Sequence, residues 1–143
     1  PVEDIAIGPG KTSLEKGEFV VSFQLPKRAP NSGDAYLRFT PRTEMDIAVV
    51  GCAVNLTLDD SGTCTDARVS LGAVAARALV VDDAAKALIG TKVDDAAMDA
   101  LAAAASAACS PIDDKRGTIE YRTEVAGVLA QRAAAIALER AKS

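Results

Sequence analysis

A Gly-Lys-Thr triplet at residues 10–12, within the stretch GPGKTSLEKGE, is the first feature that could carry chemistry. Gly-Lys-Thr closes the P-loop motif, in which backbone amides and the lysine cradle nucleotide phosphates. That motif also needs a glycine five positions before its last glycine, where this chain has Ile5. The residues after Thr12 include two acids and Gly17, where the motif requires the positive end of a helix. The local sequence therefore favours a surface turn with Lys11 in solvent over a P-loop nucleotide enzyme.

Paired aspartates are the other candidate chemical groups, and they occur at 59–60, 82–83, 94–95 and 113–114. Cation sites need oxygen ligands that converge from several spaced positions, so we interpret these pairs as turns and helix starts. The chain contains no histidine. Its absence removes the commonest general base, the Ser-His and Cys-His nucleophile pairs and most zinc sites. The sequence thus predicts no catalytic and no metal-binding residue.

Composition narrows the class of protein further. A chain of 143 residues predicts one domain with a sizeable core. The net charge of -4, with scattered acids, argues against binding to nucleic acid or to anionic membranes, and no apolar run is long enough for membrane insertion. Cys52, Cys64 and Cys109 lack Cys-x-x-Cys spacing, as is typical of a reduced, cytoplasmic protein. Cys52 lies on the apolar side of a predicted strand, where a free thiol acts as a small hydrophobe.

The first half of the chain is predicted to form strands that position these groups. Residues 18–25 (EFVVSFQL) are β-branched and aromatic and are followed by Pro26, and residues 35–40 (AYLRFT) form a second strand. Over residues 50–58 apolar side chains alternate with small or polar ones, as in a half-buried strand. Turn residues occupy 59–62, and the alternation resumes over 67–73, which together predict a β-hairpin.

The second half has helical periodicity. The predicted helices start at Asp82 or Asp83, at Asp94 or Asp95, and at Gly117 or Thr118, and they end at Gly90, before Ser110-Pro111, and near Arg140. The expected buried stripe of the third helix comprises Tyr121, Val125, Val128, Leu129, Ala133 and Ile136. Strands followed by helices predict an α+β fold with two layers, a mainly antiparallel sheet of three to four strands packed against three helices.

Three segments carry a family resemblance, at residues 36–59, 67–90 and 111–133. Their specific elements are Arg42 followed by Asp46-Ile47-Ala48, Leu71-Gly72-Ala73-Val74, and Arg116-Gly117 leading into Glu120-Tyr121-Arg122. In this order they resemble the C-terminal domain of the FAD-binding (medium) subunit of molybdenum hydroxylases. That family includes the flavoprotein subunits of carbon monoxide dehydrogenase and xanthine dehydrogenase.

The resemblance implies a domain division, cofactors and partners. Residues 1–30 would be a linker segment and first strand from the end of the FAD-binding part, and residues 31–143 a CO dehydrogenase flavoprotein C-terminal-like domain. The chain opens PVEDIAIGPG without an initiator methionine, which favours a fragment. The resemblance implies that this fragment alone is not catalytic. The parent would be an oxidoreductase subunit that contains FAD and passes electrons to an external acceptor. Its expected partners are a small subunit with [2Fe-2S] clusters and a large subunit with the molybdenum cofactor.

The same resemblance gives Lys11 a role as the one cofactor-binding residue of the chain. Ile7 to Thr12 falls on the family's linker of the type aromatic-x-Gly-Tyr-Arg-Lys-Thr, which passes beside the flavin, and this implies that Lys11 approaches FAD. Pro9-Gly10 replaces the Tyr-Arg pair of that pattern, so no aromatic side chain from this loop is expected against the flavin ring.

Two further expectations concern the charged motif residues and the function of the fold. Arg42, Asp46 and residues 120–122 are predicted to be structural and to tie the strand entry to the last helix, because buried charges must be paired. The fold by itself also allows an alternative, a free-standing interaction or dimerisation module without redox activity.

Overall fold

The computed structural model describes all residues, 1–143, and its fold is of the predicted α+β class. After a single 3-10 turn at Val2–Asp4, the strands and helices follow in separate halves of the chain. The strands are Ala6–Gly8 (β1), Lys11–Thr12 (β2), Ser32–Phe39 (β3), Val50–Leu58 (β4), Cys64–Gly72 (β5) and Leu79–Val80 (β6). The helices are Asp82–Leu88 (α1), Asp95–Ala107 (α2) and Ile119–Ala141 (α3).

Strands β3 to β6 form one antiparallel sheet in the order β3-β4-β5-β6. The predicted hairpin is confirmed as β4 and β5, in which Val54 lies opposite Val69 and Asn55 opposite Arg68. Its turn is stabilised by Asp59, whose carboxylate accepts hydrogen bonds from the backbone amides of Ser61 and Thr63, both at 2.9 Å. β1 and β2 form a separate two-stranded hairpin.

The two faces of the four-stranded sheet differ in their side chains. The alternation in β4 places Val50, Cys52 and Val54 under the helices, where they are buried. In β5 the same alternation buries Val69 and Leu71. Every second residue of the three long strands points away from the helices, and these residues, which include Tyr36, Ala53 and Ser70, form what we call the open face of the sheet. All three helices therefore lie on one side, in the two layers that the sequence predicted.

Small residues let the helices approach one another and the sheet. α3 packs against β3 and β4, and α2 packs against α3. A Cβ atom on Gly127 of α3 would lie 3.0 Å from the carbonyl oxygen of Ala102 in α2. The buried stripe of α3 comprises Arg122, Ala126, Gly127, Leu129, Ala130, Ala133, Ala134, Ala137 and Ala141. The predicted stripe was wrong at Tyr121 and Val128, which are exposed, because the helix turns its alanines toward the sheet.

Side-chain caps begin two of the helices at predicted residues. Asp94 accepts a hydrogen bond from the amide of Ala97 at 3.0 Å, and Thr118 accepts one from the amide of Tyr121 at 3.1 Å. α1 differs, because its N-cap position is Val81 and no side chain caps it. Asp82 and Asp83 instead occupy its first turn, where negative charge is favourable against the helix dipole.

The predicted strand at residues 18–25 does not form in this structure, which has no regular secondary structure there. Its alternate side chains are largely exposed to solvent: Phe19 by 75%, Val21 by 84%, Phe23 by 69% and Leu25 by 88%. A strand needs a neighbour for its backbone hydrogen bonds, and no strand of the described chain pairs with this segment. Sequence pattern alone cannot supply that neighbour.

Candidate functional site

The first candidate site is the β1–β2 hairpin, which carries Lys11. Gly8 pairs with Lys11, and Pro9-Gly10 forms the turn between the strands. Gly10 has a φ of +65°, which glycine adopts without strain, and Pro9 restricts φ at the preceding turn position. The Gly-Lys-Thr triplet is followed by no helix. It therefore lacks the geometry of a P-loop, in agreement with the sequence argument from Ile5.

Lys11 is exposed at the end of this hairpin, and its ammonium group forms no hydrogen bond or ion pair. The backbone around it is held by the amide of Ser13, which donates to the carbonyl of Ile5 at 2.9 Å. The hairpin is joined to the main sheet through the preceding turn, since Arg68 of β5 donates to Glu3 at 2.7 Å. Lys11 is thus an exposed cation on a hairpin whose preceding turn reaches the main sheet through one surface ion pair.

An apolar cleft of about 490 Å³ lies between the first turn of the chain and residues 20–25. Val2 and Ile5 line one side, and Val20, Phe23 and Leu25 line the other. The chain offers no glycine-rich phosphate loop beside it. This segment therefore offers apolar side chains at the cleft and, separately, one cation at Lys11.

A cluster of charges ties the 40–48 loop to the segment before α3. The side chain of Asp46 is only 4% exposed, and its carboxylate accepts a hydrogen bond from Arg116 at 2.9 Å. Arg42 lies 3.6 Å from the other carboxylate oxygen. The prediction that Arg42 and Asp46 are structural agrees with this pairing, although the Arg42 side chain is itself largely exposed.

Arg122 extends the same cluster into the core, where it is only 3% exposed. It donates to the carboxylate of Asp114 at 2.6 Å and to the carbonyl of Val49 at 2.8 Å. The neighbouring Tyr121 packs its ring edge-on against Phe39, with the ring centroids 6.2 Å apart. Tyr121 and Arg122 therefore join α3 to the sheet as predicted, whereas Glu120 is exposed in the first turn of α3.

Hydrogen bonding perturbs both carboxylates of this cluster. The hydrogen bond from Arg116 is the main cause that lowers the pKa of Asp46 below its usual range. The pKa of Asp114 is also lowered, first by the backbone amide of Arg116 and then by Arg122. Both groups are therefore held ionised, which suits structural ion pairs and not proton transfer near neutral pH.

The remaining candidate groups are not assembled for chemistry. Burial raises the pKa of Cys52 to about 12. Burial also raises the pKa of Cys64 and Cys109, and all three cysteines are free thiols. The structure brings no three of the Cys, Asp and Glu side chains together as metal ligands. None of its helices is both long and apolar enough to cross a bilayer.

Sequence reasoning did not assign the roles of Asp114 and Arg116. The signal was present in the segment DDKRG, because two acids beside two bases in a turn are well placed for ion pairs. Their partners Asp46 and Arg122, however, come from the 40–48 loop and from α3. The local sequence therefore indicates that these residues form ion pairs, but it does not identify their distant partners.

The chain is similar in sequence to subunits of known dehydrogenases. The model of the family described as CO dehydrogenase flavoprotein C-terminal domain matches residues 35–137. The chain is 38% identical over 132 residues to the carbon monoxide dehydrogenase medium chain of Afipia carboxidovorans, covering 92% of this chain and 45% of the relative. It is 36% identical over 76 residues to the xanthine dehydrogenase FAD-binding subunit of Escherichia coli O157:H7, covering 52% and 26%.

Solved structures resemble the chain closely as well. A carbon monoxide dehydrogenase from Hydrogenophaga pseudoflava, which lacks the Mo-pyranopterin moiety of its molybdenum cofactor, superposes with a TM-score of 0.92 at 36% identity. The match covers 98% of this chain and 48% of that one. The chain therefore spans about half the length of the relatives it matches.

Proposed function

The chain belongs to the family of CO dehydrogenase flavoprotein C-terminal domains, and from that membership we propose that it forms the C-terminal part of an FAD-binding subunit in a molybdenum hydroxylase. In this role it completes the flavin pocket from the side of the Lys11 hairpin. The full subunit passes electrons from the molybdenum and iron–sulfur centres of its partner subunits to an external acceptor. The observation that carries the proposal is the match of residues 35–137, together with the names of the relatives.

Partners and setting follow from the same proposal. The large partner binds the molybdenum cofactor, the small partner carries the [2Fe-2S] clusters, and the complex works in the cytoplasm. Three free thiols without a disulfide agree with a reducing compartment. Residues 1–30 act as the linker to the FAD-binding part, and residues 18–25 find there the strand neighbour that they lack here. Their exposed apolar side chains and their unpaired backbone support this pairing.

The residues of the chain fit the flavin ring of FAD but not its pyrophosphate. Lys11 is an exposed cation on the β1–β2 hairpin, and the cleft lined by Ile5, the residue before that hairpin, offers Val2, Ile5 and Val20 as apolar contacts. No phosphate loop is present, so the pyrophosphate must be held by the preceding part of the subunit. When bound, FAD supplies the electron-accepting chemistry. Lys11 holds positive charge beside it, stabilises added negative charge and so raises its reduction potential.

The test uses a chimera in which this chain replaces the matching 132 residues of the Afipia carboxidovorans medium chain. We expect the purified chimera to retain FAD. Lys11→Met removes the charge at similar length, and it should weaken FAD retention or lower the flavin potential. Lys16→Met is the matched control, because Lys16 is an exposed lysine of the same segment.

Two outcomes would contradict this proposal at different levels. A chimera that folds but contains no FAD would favour the interaction module without redox activity. A chimera that keeps FAD, with the same potential and retention in Lys11→Met and Lys16→Met, would assign Lys11 to the solvent surface and leave the subunit assignment intact.

A further inference from the structure

The open face of the sheet is covered at one end and bare at the other. At the covered end Asp34, Asn55 and Arg68 lie side by side on β3, β4 and β5. Segment 25–29 lies over this end, with Arg28 paired to Asp34. The other end carries Tyr36, Arg38, Ala53, Ser70, Gly72 and Val80, which are exposed or partly exposed, and Gly51, which the ring of Tyr36 covers. We call these seven residues the bare patch.

Small side chains make the bare patch flat. Gly51 lies opposite Gly72, and Ala53 lies opposite Ser70, so the middle of the patch is almost all backbone. Tyr36 lies across Gly51, where a Cβ atom would come within 2.7 Å of its hydroxyl oxygen, while a Cβ on Gly72 would meet nothing closer than 4.0 Å. Tyr36 nevertheless remains 63% exposed. Glycine within a strand commonly marks the close approach of another backbone, and here no part of the chain makes that approach to Gly72.

The segment that resembles the family's flavin-side linker already lies on this face. Glu3 of the first turn pairs with Arg68, which is the neighbour of the bare patch along β5. Segment 25–29, which ends the linker region, crosses the same face beside Asp34. Both ends of the linker region therefore contact the open face, and Arg28 and Ala29 also line a cleft with residues 140–143 at the end of α3.

We propose that the bare patch is the docking surface for the FAD-binding part of the subunit, an inference that rests on the proposed function. The occupant is a protein surface whose backbone approaches Gly72 and Ser70 closely and which places apolar contacts on Tyr36 and Val80. An acidic side chain is expected opposite Arg38, the single charge in the patch. Relatives of which this chain spans 45–48% have another half of comparable size, and the linker region attaches on this face.

The two tyrosines of the chain allow a test without substitution. Tyr36 lies in the bare patch, whereas Tyr121, exposed by 43%, lies at the start of α3 beside Phe39. Nitration with tetranitromethane, followed by peptide mass spectrometry, is compared between the isolated chain and the FAD-loaded chimera described above. We expect nitration of Tyr36 to slow by about tenfold or more in the chimera, as for a side chain enclosed in an interface core. Nitration of Tyr121 should be unchanged.

A substitution pair provides the second measurement. Ser70→Trp places a large side chain in the flat centre of the patch, and Ala135→Trp places the same side chain on the exposed side of α3. In the chimera, Ser70→Trp should restore the nitration rate of Tyr36 and release FAD, while Ala135→Trp should do neither. The isolated chains serve as folding controls and should share one thermal midpoint.

The possible failures are distinguishable. A chimera that retains FAD but nitrates Tyr36 as fast as the isolated chain overturns the docking surface and leaves the proposed function standing. The docking surface is also overturned if the Ser70→Trp chimera retains FAD and its Tyr36 remains protected from nitration. Loss of FAD from the unsubstituted chimera overturns the proposed function, and the docking surface with it.

Discussion

Gly33 of β3 lies against Ala141 of α3 so closely that a Cβ atom on Gly33 would stand 2.6 Å from the amide nitrogen of Ala141. The carbonyl oxygen of Ala137 would be closer still. Both obstacles are backbone atoms of a long helix, which cannot rotate away as a side chain can. The absence of a side chain at Gly33 therefore sets how near the last turns of α3 can lie to the edge of the sheet.

Substitution of Gly33 by alanine is expected to destabilise the chain. Overpacking of this kind costs about 1–3 kcal/mol, because the helix must shift or the strand must bend. The matched control is Gly72→Ala in the same sheet, where the added methyl group meets nothing closer than 4.0 Å. Urea unfolding of the isolated chain measures both. Equal midpoints for the two variants would mean that α3 yields at this contact without cost.

Removal of the buried guanidinium in Arg122→Met should also destabilise the chain. The substitution leaves the buried carbonyl of Val49 without its charged donor, and such a loss costs about 1–3 kcal/mol. Arg132→Met, at an exposed position of the same helix, is the control and should be nearly neutral. Comparison of the two midpoints in urea tests the assignment. A neutral Arg122→Met would show that the cluster does not hold α3 to the sheet.

Stability should fall as the pH is lowered through the acidic range. Asp46 and Asp114 have a pKa below the usual value in the folded chain, so the unfolded chain binds protons first. Their contribution is complete above the unfolded pKa of about 3.9 and is lost as the pH falls toward the folded pKa. Thermal midpoints between neutral pH and about pH 3 measure this slope. Asp46→Asn should flatten it, whereas Asp60→Asn, at an exposed turn residue, should retain it.

Cys52 is expected to resist alkylation in the native chain. Its pKa is raised to about 12 by burial, so almost no thiolate exists at pH 8 and no reagent can reach it. Iodoacetamide labelling with mass spectrometry should modify the partly exposed Cys109 first and Cys52 only in denaturant. Rapid labelling of Cys52 in the native chain would show that β4 opens locally, since the thiol lies buried between the sheet and the helices.

The isolated chain is expected to fold without bound flavin. Its core of 26 buried apolar residues lies between the sheet and the helices, whereas a phosphate loop is absent. Purified protein should show a cooperative thermal transition and no absorbance at about 450 nm, the general flavin band. Tightly bound flavin in this preparation would mean that the hairpin and the apolar cleft hold the cofactor without the preceding part of the subunit.

The sequence by itself determined the elements whose signals are local. Period-two alternation over residues 50–58 and 67–73 identified the hairpin, and the pairs Asp94-Asp95 and Gly117-Thr118 located two helix starts to within one residue. The helical layer and the mainly antiparallel sheet followed from the order of these patterns. Such signals are readable because each depends on residues within one turn of a helix or one strand. The family motifs were readable for the same reason, as short strings in a fixed order.

Tertiary structure decided everything that depends on contacts between distant residues. Asp46 and Arg116 are 70 positions apart, and their pairing exists only because the fold brings two loops together. Residues 18–25 have a strand pattern but no neighbouring strand, and the free energy of a strand lies in its pairing as much as in its side chains. The buried stripe of α3 consists mainly of alanines and does not include Tyr121 or Val128. Close packing of a helix on a sheet favours small side chains, even over larger and more hydrophobic ones.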